Sequence, residues 1–181
     1  MSDSAYSRCT LGNFKSKEKH VKFKIFCACA VFAFALATTT SAQTKNSFSG
    51  KCDNPDVAQN IPAGDADGHT FSLASAKCTA TGDVNGVAAK DGVYAEHQDV
   101  TAKQVKAWGV YVESFENGDK IFYNYQSVLP DKAAPGRNKY QITGGTGKMK
   151  GIKGSGTCKL DAGNYACTGE YTIAAPVTAK N

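Results

Sequence analysis

Histidine is scarce in this 181-residue chain: there are three, and only His69 and His97 lie beyond residue 42. No Cys-x-x-Cys spacing occurs. Metal sites need imidazoles or closely spaced thiolates, so the sequence argues against a metal and asks for no cofactor. Long apolar runs are also missing. The longest, Ile25 to Ala37, has 13 residues, short of the roughly 20 that span a bilayer. No stable membrane anchor is expected. A basic surplus is missing as well once the first 42 residues are set aside. They hold six of the 21 basic and two of the 16 acidic residues, which leaves 15 against 14, or net +1. Nucleic acid is therefore not an expected partner. Helical periodicity is nearly absent, and only Val100–Ala107 suggests a short helical stretch.

The first 42 residues read as a targeting segment. Lys15, Lys17, Lys19, Lys22 and Lys24 precede the apolar run, and Thr38-Thr39-Thr40-Ser41-Ala42 follows it. A basic region, an apolar region and a small-residue exit are the parts of a secretory signal peptide. Cleavage is expected after Ala42, which leaves the apolar run uncut. The unusually long basic region predicts that translation starts downstream of Met1. The expected organisation is a signal peptide over 1–42 and a single β-barrel domain over 43–181, exported to the periplasm or secreted.

Cysteine usage agrees with export. Cys9, Cys27 and Cys29 fall in the leader, and Cys52, Cys78, Cys158 and Cys167 remain. Four cysteines in an exported domain suggest two disulfides. Asp161-Ala162-Gly163-Asn164 reads as a turn between two strands. A hairpin centred there pairs Leu160 with Tyr165 and sets Cys158 opposite Cys167. Opposed residues in an antiparallel pair have Cα atoms about 4.5–5.5 Å apart, within reach of a disulfide. Cys52–Cys78 is then the second bridge.

Strand patterns are strong. Alternation and β-branched or aromatic enrichment mark Ser47–Cys52, His69–Thr79, Val93–Thr101, Trp108–Phe115, Lys120–Val128, Lys139–Thr143, Ser155–Leu160 and Tyr165–Ile173. Eight strands at this length predict an all-β, eight-stranded antiparallel barrel with hairpin connections. Asp53 to Gly68 reads as a long loop. Asn117-Gly118 is a strong hairpin signal. A two-residue turn there pairs Val112 with Tyr123 and Val110 with Tyr125. Trp108, Val110, Val112, Ile121, Tyr123 and Tyr125 then share the apolar face and line the interior. Tyr111, Glu113, Phe115 and Phe122 share the mixed outer face, whose aromatic area suits a subunit contact in a homo-oligomer. The same parity places Phe71, Leu73, Val93, Ala95, Tyr140, Ile142, Leu160, Tyr165, Tyr171 and Ile173 on apolar faces, with His97 among them.

The glycine-rich run Gly144–Gly156 does not cradle phosphate. A P-loop needs G-x-x-x-x-G-K-[ST] before a helix. Met149 stands where the hydroxyl should be, Ile142 where the first glycine should be, and no helix pattern follows. Glycine instead permits a bend between strands. Gly144-Gly145-Thr146-Gly147-Lys148-Met149-Lys150-Gly151 resembles the Gly-Gly-Thr-Gly-Lys segment of allene oxide cyclase-like and dirigent-type barrel proteins. The Asn117–Tyr123 hairpin is similar to that of small exported bacterial members of the group. The resemblance implies an eight-stranded antiparallel barrel with a central cavity, often trimeric in the plant members. It carries no catalytic residue onto this chain.

Two function classes follow. One is a non-enzymatic barrel that holds a small apolar or aromatic ligand against Trp108, Val110, Val112, Tyr123, Tyr125 and Tyr140. The other is an isomerase or cyclase-like enzyme using the same cavity, with His97 or Glu113 as acid or base. No catalytic triad or paired-carboxylate spacing stands out, so binding is the favoured expectation. A cavity packed solid by its own side chains would remove both.

Overall fold

The computed structural model describes residues 43–130 and 135–174. The proposed signal peptide lies outside the described residues. Ten strands follow one another: β1 (Thr44–Cys52), β2 (Asp56–Pro62), β3 (Thr70–Thr81), β4 (Asp83–Val84), β5 (Val87–Val100), β6 (Gln104–Phe115), β7 (Lys120–Pro130), β8 (Gly136–Gly145), β9 (Ile152–Asp161) and β10 (Asn164–Ile173). Eight of them close an antiparallel barrel in the order β1-β3-β5-β6-β7-β8-β9-β10, with β10 returning to β1. β2 adds to the edge of β3 and β4 to β5. Among the described residues no helix is long and apolar enough to cross a membrane.

The barrel is staggered. From Thr81 the ladder steps through Ser49, Ala166, Lys159, Arg137, Val128, Lys106 and Asp99 and arrives at Phe71, ten residues back along β3. Stagger tilts strands and widens a barrel of fixed strand number, which leaves room for a small lumen.

Two expectations about connections fail for identifiable reasons. The loop expected over Asp53–Gly68 contains β2, whose residues are all exposed. A strand with no buried face shows no alternation. The helix expected over Val100–Ala107 is a tight β5–β6 connection, with Thr101 N–H donating to the Gln104 carbonyl. Gln104–Ala107 then belongs to β6, where Ala107 is buried.

The hairpins decide which side chains point inward. At Ala162-Gly163 both residues have positive φ (48° and 80°), the twist a two-residue hairpin turn requires. Leu160 pairs with Tyr165 and Cys158 with Cys167, as expected. Cys158–Cys167 and Cys52–Cys78 are both bridged, with Cα atoms 4.0 and 3.9 Å apart. The β6–β7 hairpin departs from expectation. Phe115 N–H donates to the Asp119 carbonyl and Gly118 N–H to the Phe115 carbonyl, which makes a three-residue loop. The extra residue pairs Val112 with Phe122 and Tyr111 with Tyr123. A one-residue slip reverses a strand's faces. Tyr111, Glu113 and Phe115 therefore point inward, and Trp108, Val110 and Val112 point outward.

Parity is reversed on β3 and β5 too. Ser72, Ala74, Ala76, Cys78 and Ala80 are the buried residues of β3, while Phe71 and Leu73 are exposed. On β5, Val93 and Ala95 are outward. Tyr140, Ile142, Leu160, Tyr165, Tyr171 and Ile173 face inward or pack on the core, as expected. Tyrosine rings from several strands fill the interior, so β3 can meet them only with small residues.

One end of the barrel is plugged. Gly147–Met149 forms a 3-10 turn between β8 and β9. Met149 is fully buried against a cluster that includes Phe115, Ile121 and Ile152. The turn is tied to the β6–β7 loop: Lys148 N–H donates to Asp119 Oδ2 (2.9 Å), and Lys120 N–H donates to Thr146 Oγ1 (2.8 Å). The glycine-rich run is thus a stopper, consistent with its expected role as a bend.

Candidate ligand-binding lumen

Above the plug lies a cavity of about 600 Å³. Its wall is aromatic: Phe48, Tyr94, Tyr111, Tyr123, Tyr125, Tyr140 and Tyr165 line it beside both disulfides. The rings brace one another. Tyr123 meets Tyr140 edge-on at 5.6 Å, and Phe48 meets Tyr140 in the same way at 5.6 Å.

The strands make space for these rings with glycine. Tyr125 is paired across the ladder with Gly109, Tyr140 with Gly156, and Tyr165 with Gly50. A Cβ at Gly156 or Gly50 would strike the facing tyrosine ring. Gly92 does the same for Tyr111.

Most ring hydroxyls are spent on the protein. Tyr125 OH donates to Glu96 Oε2 (2.6 Å), Tyr123 OH to Glu113 Oε2 (2.5 Å) and Tyr165 OH to the Thr79 carbonyl (3.0 Å). Tyr111 and Tyr165 hydroxyls lie 3.2 Å apart. Burial raises the phenols of Tyr94, Tyr140 and Tyr165 to about 12, and also pushes those of Tyr111, Tyr123 and Tyr125 well up from their ordinary value. All stay protonated at neutral pH and present ring faces inward.

Among the described residues Glu96, Asp161, Ser127, Asn138 and Asn164 supply the polar side chains of the lining. Glu113 is 1% exposed and lies behind the wall, held by the Tyr123 hydroxyl. Burial raises its carboxyl to about 7, against the lowering pull of the Tyr123 hydrogen bond. Glu96 also accepts from Gln98 Nε2 (2.6 Å). Asn138 Nδ2 donates to Ser127 Oγ (3.2 Å), and Asn138 Oδ1 is buried with no partner among the described residues. No group of three or more His, Cys, Asp or Glu among the described residues is placed to hold a metal ion.

The lumen brings together only some of the residues expected from sequence. Tyr123, Tyr125 and Tyr140 line it. Trp108 and Val110 instead line an outer groove of about 1190 Å³ with Leu73 and His97, and Val112 is also outward. His97 stacks on Trp108 at 5.2 Å and 14°, outside the barrel, so it is no acid or base for the lumen. Glu113, expected on the outer face, is inside. Tyr94, Tyr111, Phe48, Glu96 and Asn138 were not anticipated as lumen residues, and Tyr165 was expected on an apolar face but not as a ligand contact. For Tyr111 and Tyr165 the sequence signal was an in-strand glycine, Gly92 and Gly50, against each ring; the others carried none.

No protein-family model matches the chain, and no curated protein matches it. Among solved structures it is similar to a protein of unknown function of the DUF3224 family from Shewanella oneidensis MR-1 (TM-score 0.48, 12% identity, 74% of this chain and 98% of that one). It is also similar to a pyocyanin demethylase (TM-score 0.41, 19% identity, 70% and 99%). A third is a conserved protein of unknown function from Rhodopseudomonas palustris (TM-score 0.44, 9% identity, 74% and 100%).

Proposed function

We propose that this chain is an exported barrel that binds one small apolar or aromatic molecule in its lumen. The observation that carries the reading is a cavity of about 600 Å³ walled by tyrosine faces whose hydroxyls are mostly bound internally. Small-molecule sites have this size and this mostly apolar lining. The likeness of Gly144–Gly151 to allene oxide cyclase-like and dirigent-type barrels supports it, since those enclose a central cavity. Export is supported by the two disulfides, which persist in oxidising compartments. Recovery of a mature form beginning at Gln43 from the cell exterior or periplasm tests it. Calorimetric titration with naphthalene-sized aromatics tests the lumen. One molecule per barrel is expected, and binding should weaken in Leu129→Trp, which narrows the mouth. Binding unchanged by that substitution would place the molecule elsewhere.

A second reading, proton-transfer isomerisation, rests on the Tyr123–Glu113 pair. The Tyr123 oxygen would take a proton from a bound molecule as its own proton passes to Glu113, and would return it at another carbon. Glu113→Gln should then abolish turnover while the barrel stays folded; full turnover in that variant ends this reading.

A further inference from the structure

We infer that His69 is a pH-dependent clip: as an imidazolium it ties the β2–β3 turn to β5, and loss of its proton lets β2 leave the edge of β3. The inference is independent of the lumen reading above and concerns a strand outside the closed ladder.

Both ring nitrogens of His69 face a carboxylate. Nδ1 lies 2.6 Å from Asp65 Oδ1 in the turn, and Nε2 lies 2.9 Å from Asp99 Oδ1 on β5. A neutral imidazole carries one N–H and one lone pair, so it donates to one carboxylate and turns its lone pair to the other. The imidazolium donates to both. Asp67 is the other charged residue of the turn, Lys103 belongs to the β5–β6 turn, and Lys106 of β6 pairs with Asp99 across the ladder. The Phe71 ring lies 5.2 Å from the imidazole and brings no charge. Among the described residues, Asp65 and Asp99 are the charged groups that act on the His69 proton, and both favour the cation. The hydrogen bond to Asp65 raises its pKa most, and burial opposes it. The folded chain therefore holds the proton more tightly than the unfolded chain. The clip is complete below the ordinary value of 6.5 and is lost as pH rises through the higher folded value.

Little else holds the strand that the clip serves. β1 covers the edge of β3 only at Cys78–Thr81, and β2 covers it at Thr70–Ser75. All seven β2 residues are exposed, so burial anchors none of them. The β2–β3 ladder is interrupted between Val57 and Gln59. Beyond the ladder, one side-chain hydrogen bond joins the two strands among the described residues: Ser72 Oγ donates to Asn60 Oδ1 at 3.0 Å. Ala63 N–H donates to the His69 carbonyl, so the residue that forms the clip also closes the turn. Segments with few buried contacts open at low cost, and loss of the clip lowers that cost further. Once β2 has left, the backbone groups of β3 at Thr70–Ser75 that it covered are unpaired, and such an edge accepts another strand.

The test is amide hydrogen exchange on the full chain with its disulfides formed. Exchange at Asp56–Ile61, divided by the intrinsic rate at each pH, should rise several-fold between pH 6 and pH 9. His69→Gln should abolish the rise and leave β2 exchanging fast at both values. The rise should persist in Glu113→Gln, which removes the buried carboxyl that titrates near pH 7. Ring nitrogen spectra should show both His69 nitrogens protonated at pH 6, and a titration above that of histidine in the urea-unfolded chain. Exchange in β2 that ignores pH, a rise that persists in His69→Gln, or one that vanishes in Glu113→Gln would overturn the inference. So would His69 titrating at or below the unfolded value. If His69→Gln fails to fold, Asp99→Asn, which keeps the imidazole, should shrink the rise, and an unchanged rise there would overturn the inference as well.

Discussion

Glu113 holds a proton near neutral pH that the unfolded chain has already released. Its carboxyl rises from 4.5 to about 7 because burial disfavours the charged form. The native state therefore binds more protons than the unfolded state between those values. Stability from this group is complete below pH 4.5 and is lost as pH rises through about 7. The full effect is on the order of 3 kcal/mol. Thermal melts from pH 5 to 8 should show Tm falling through this window, and Glu113→Gln should flatten the slope. A second residue-scale prediction concerns the in-strand glycines. At Gly92 the nearest atoms to an added Cβ all belong to the Tyr111 ring. Gly92→Ala should cost roughly 1–3 kcal/mol by overpacking. Adding Tyr111→Leu should return part of that loss in urea denaturation, a coupling expected of residues in contact.

Elements differ in how legible they are in the sequence. The β9–β10 hairpin could be read to the residue, because Ala162-Gly163 takes the two-residue turn and only one pairing sets Cys158 opposite Cys167. The β6–β7 hairpin could not, although Asn117-Gly118 marked it correctly. Asp119 is engaged by Asn117, whose Oδ1 accepts from its N–H at 3.0 Å, and its carboxylate also receives Lys148 N–H from the distant plug. That long-range tie accompanies a three-residue loop, and β6, with large apolar or aromatic side chains on both faces, gave no warning of the slip. Trp108, Val110 and His97 moved outside as a result, so His97→Ala should leave lumen binding unchanged while Leu129→Trp weakens it. The plug carries its own prediction. Met149 is fully buried at the barrel end, and Met149→Ala should cost about 2–5 kcal/mol in chemical denaturation. The β2–β3 connection is held by His69, with Nδ1 2.6 Å from Asp65 and Nε2 2.9 Å from Asp99. The hydrogen bond to Asp65 is the main cause of its raised pKa, with Asp99 adding to it.

At the scale of the molecule, the barrel closes where it is thinnest. β1 meets β3 only over Ser49–Cys52 against Cys78–Thr81, whereas the β5–β6 ladder runs from Ala89 to Val100. Opening a barrel exposes two edges of unpaired backbone groups, so the shortest ladder is the natural place for it to start. Cys52–Cys78 sits at the end of that seam, while Cys158–Cys167 lies inside a long hairpin ladder that forms locally. Loop entropy points the same way. A bridge spanning 26 residues constrains the unfolded chain more than one spanning 9, by about 3.5 against 2.6 kcal/mol on the chain-entropy model. Replacing Cys52 and Cys78 by serine should therefore lower stability more than replacing Cys158 and Cys167. It should also raise amide exchange first in β1 and in Cys78–Thr81. Because both bridges line the lumen beside the tyrosines, loss of the β1–β3 seam should loosen the cavity wall before the plug. Aromatic binding should then fail at denaturant concentrations where the signal from the Met149 end is still native. Simultaneous loss of both signals would mean that lumen and plug unfold as one unit.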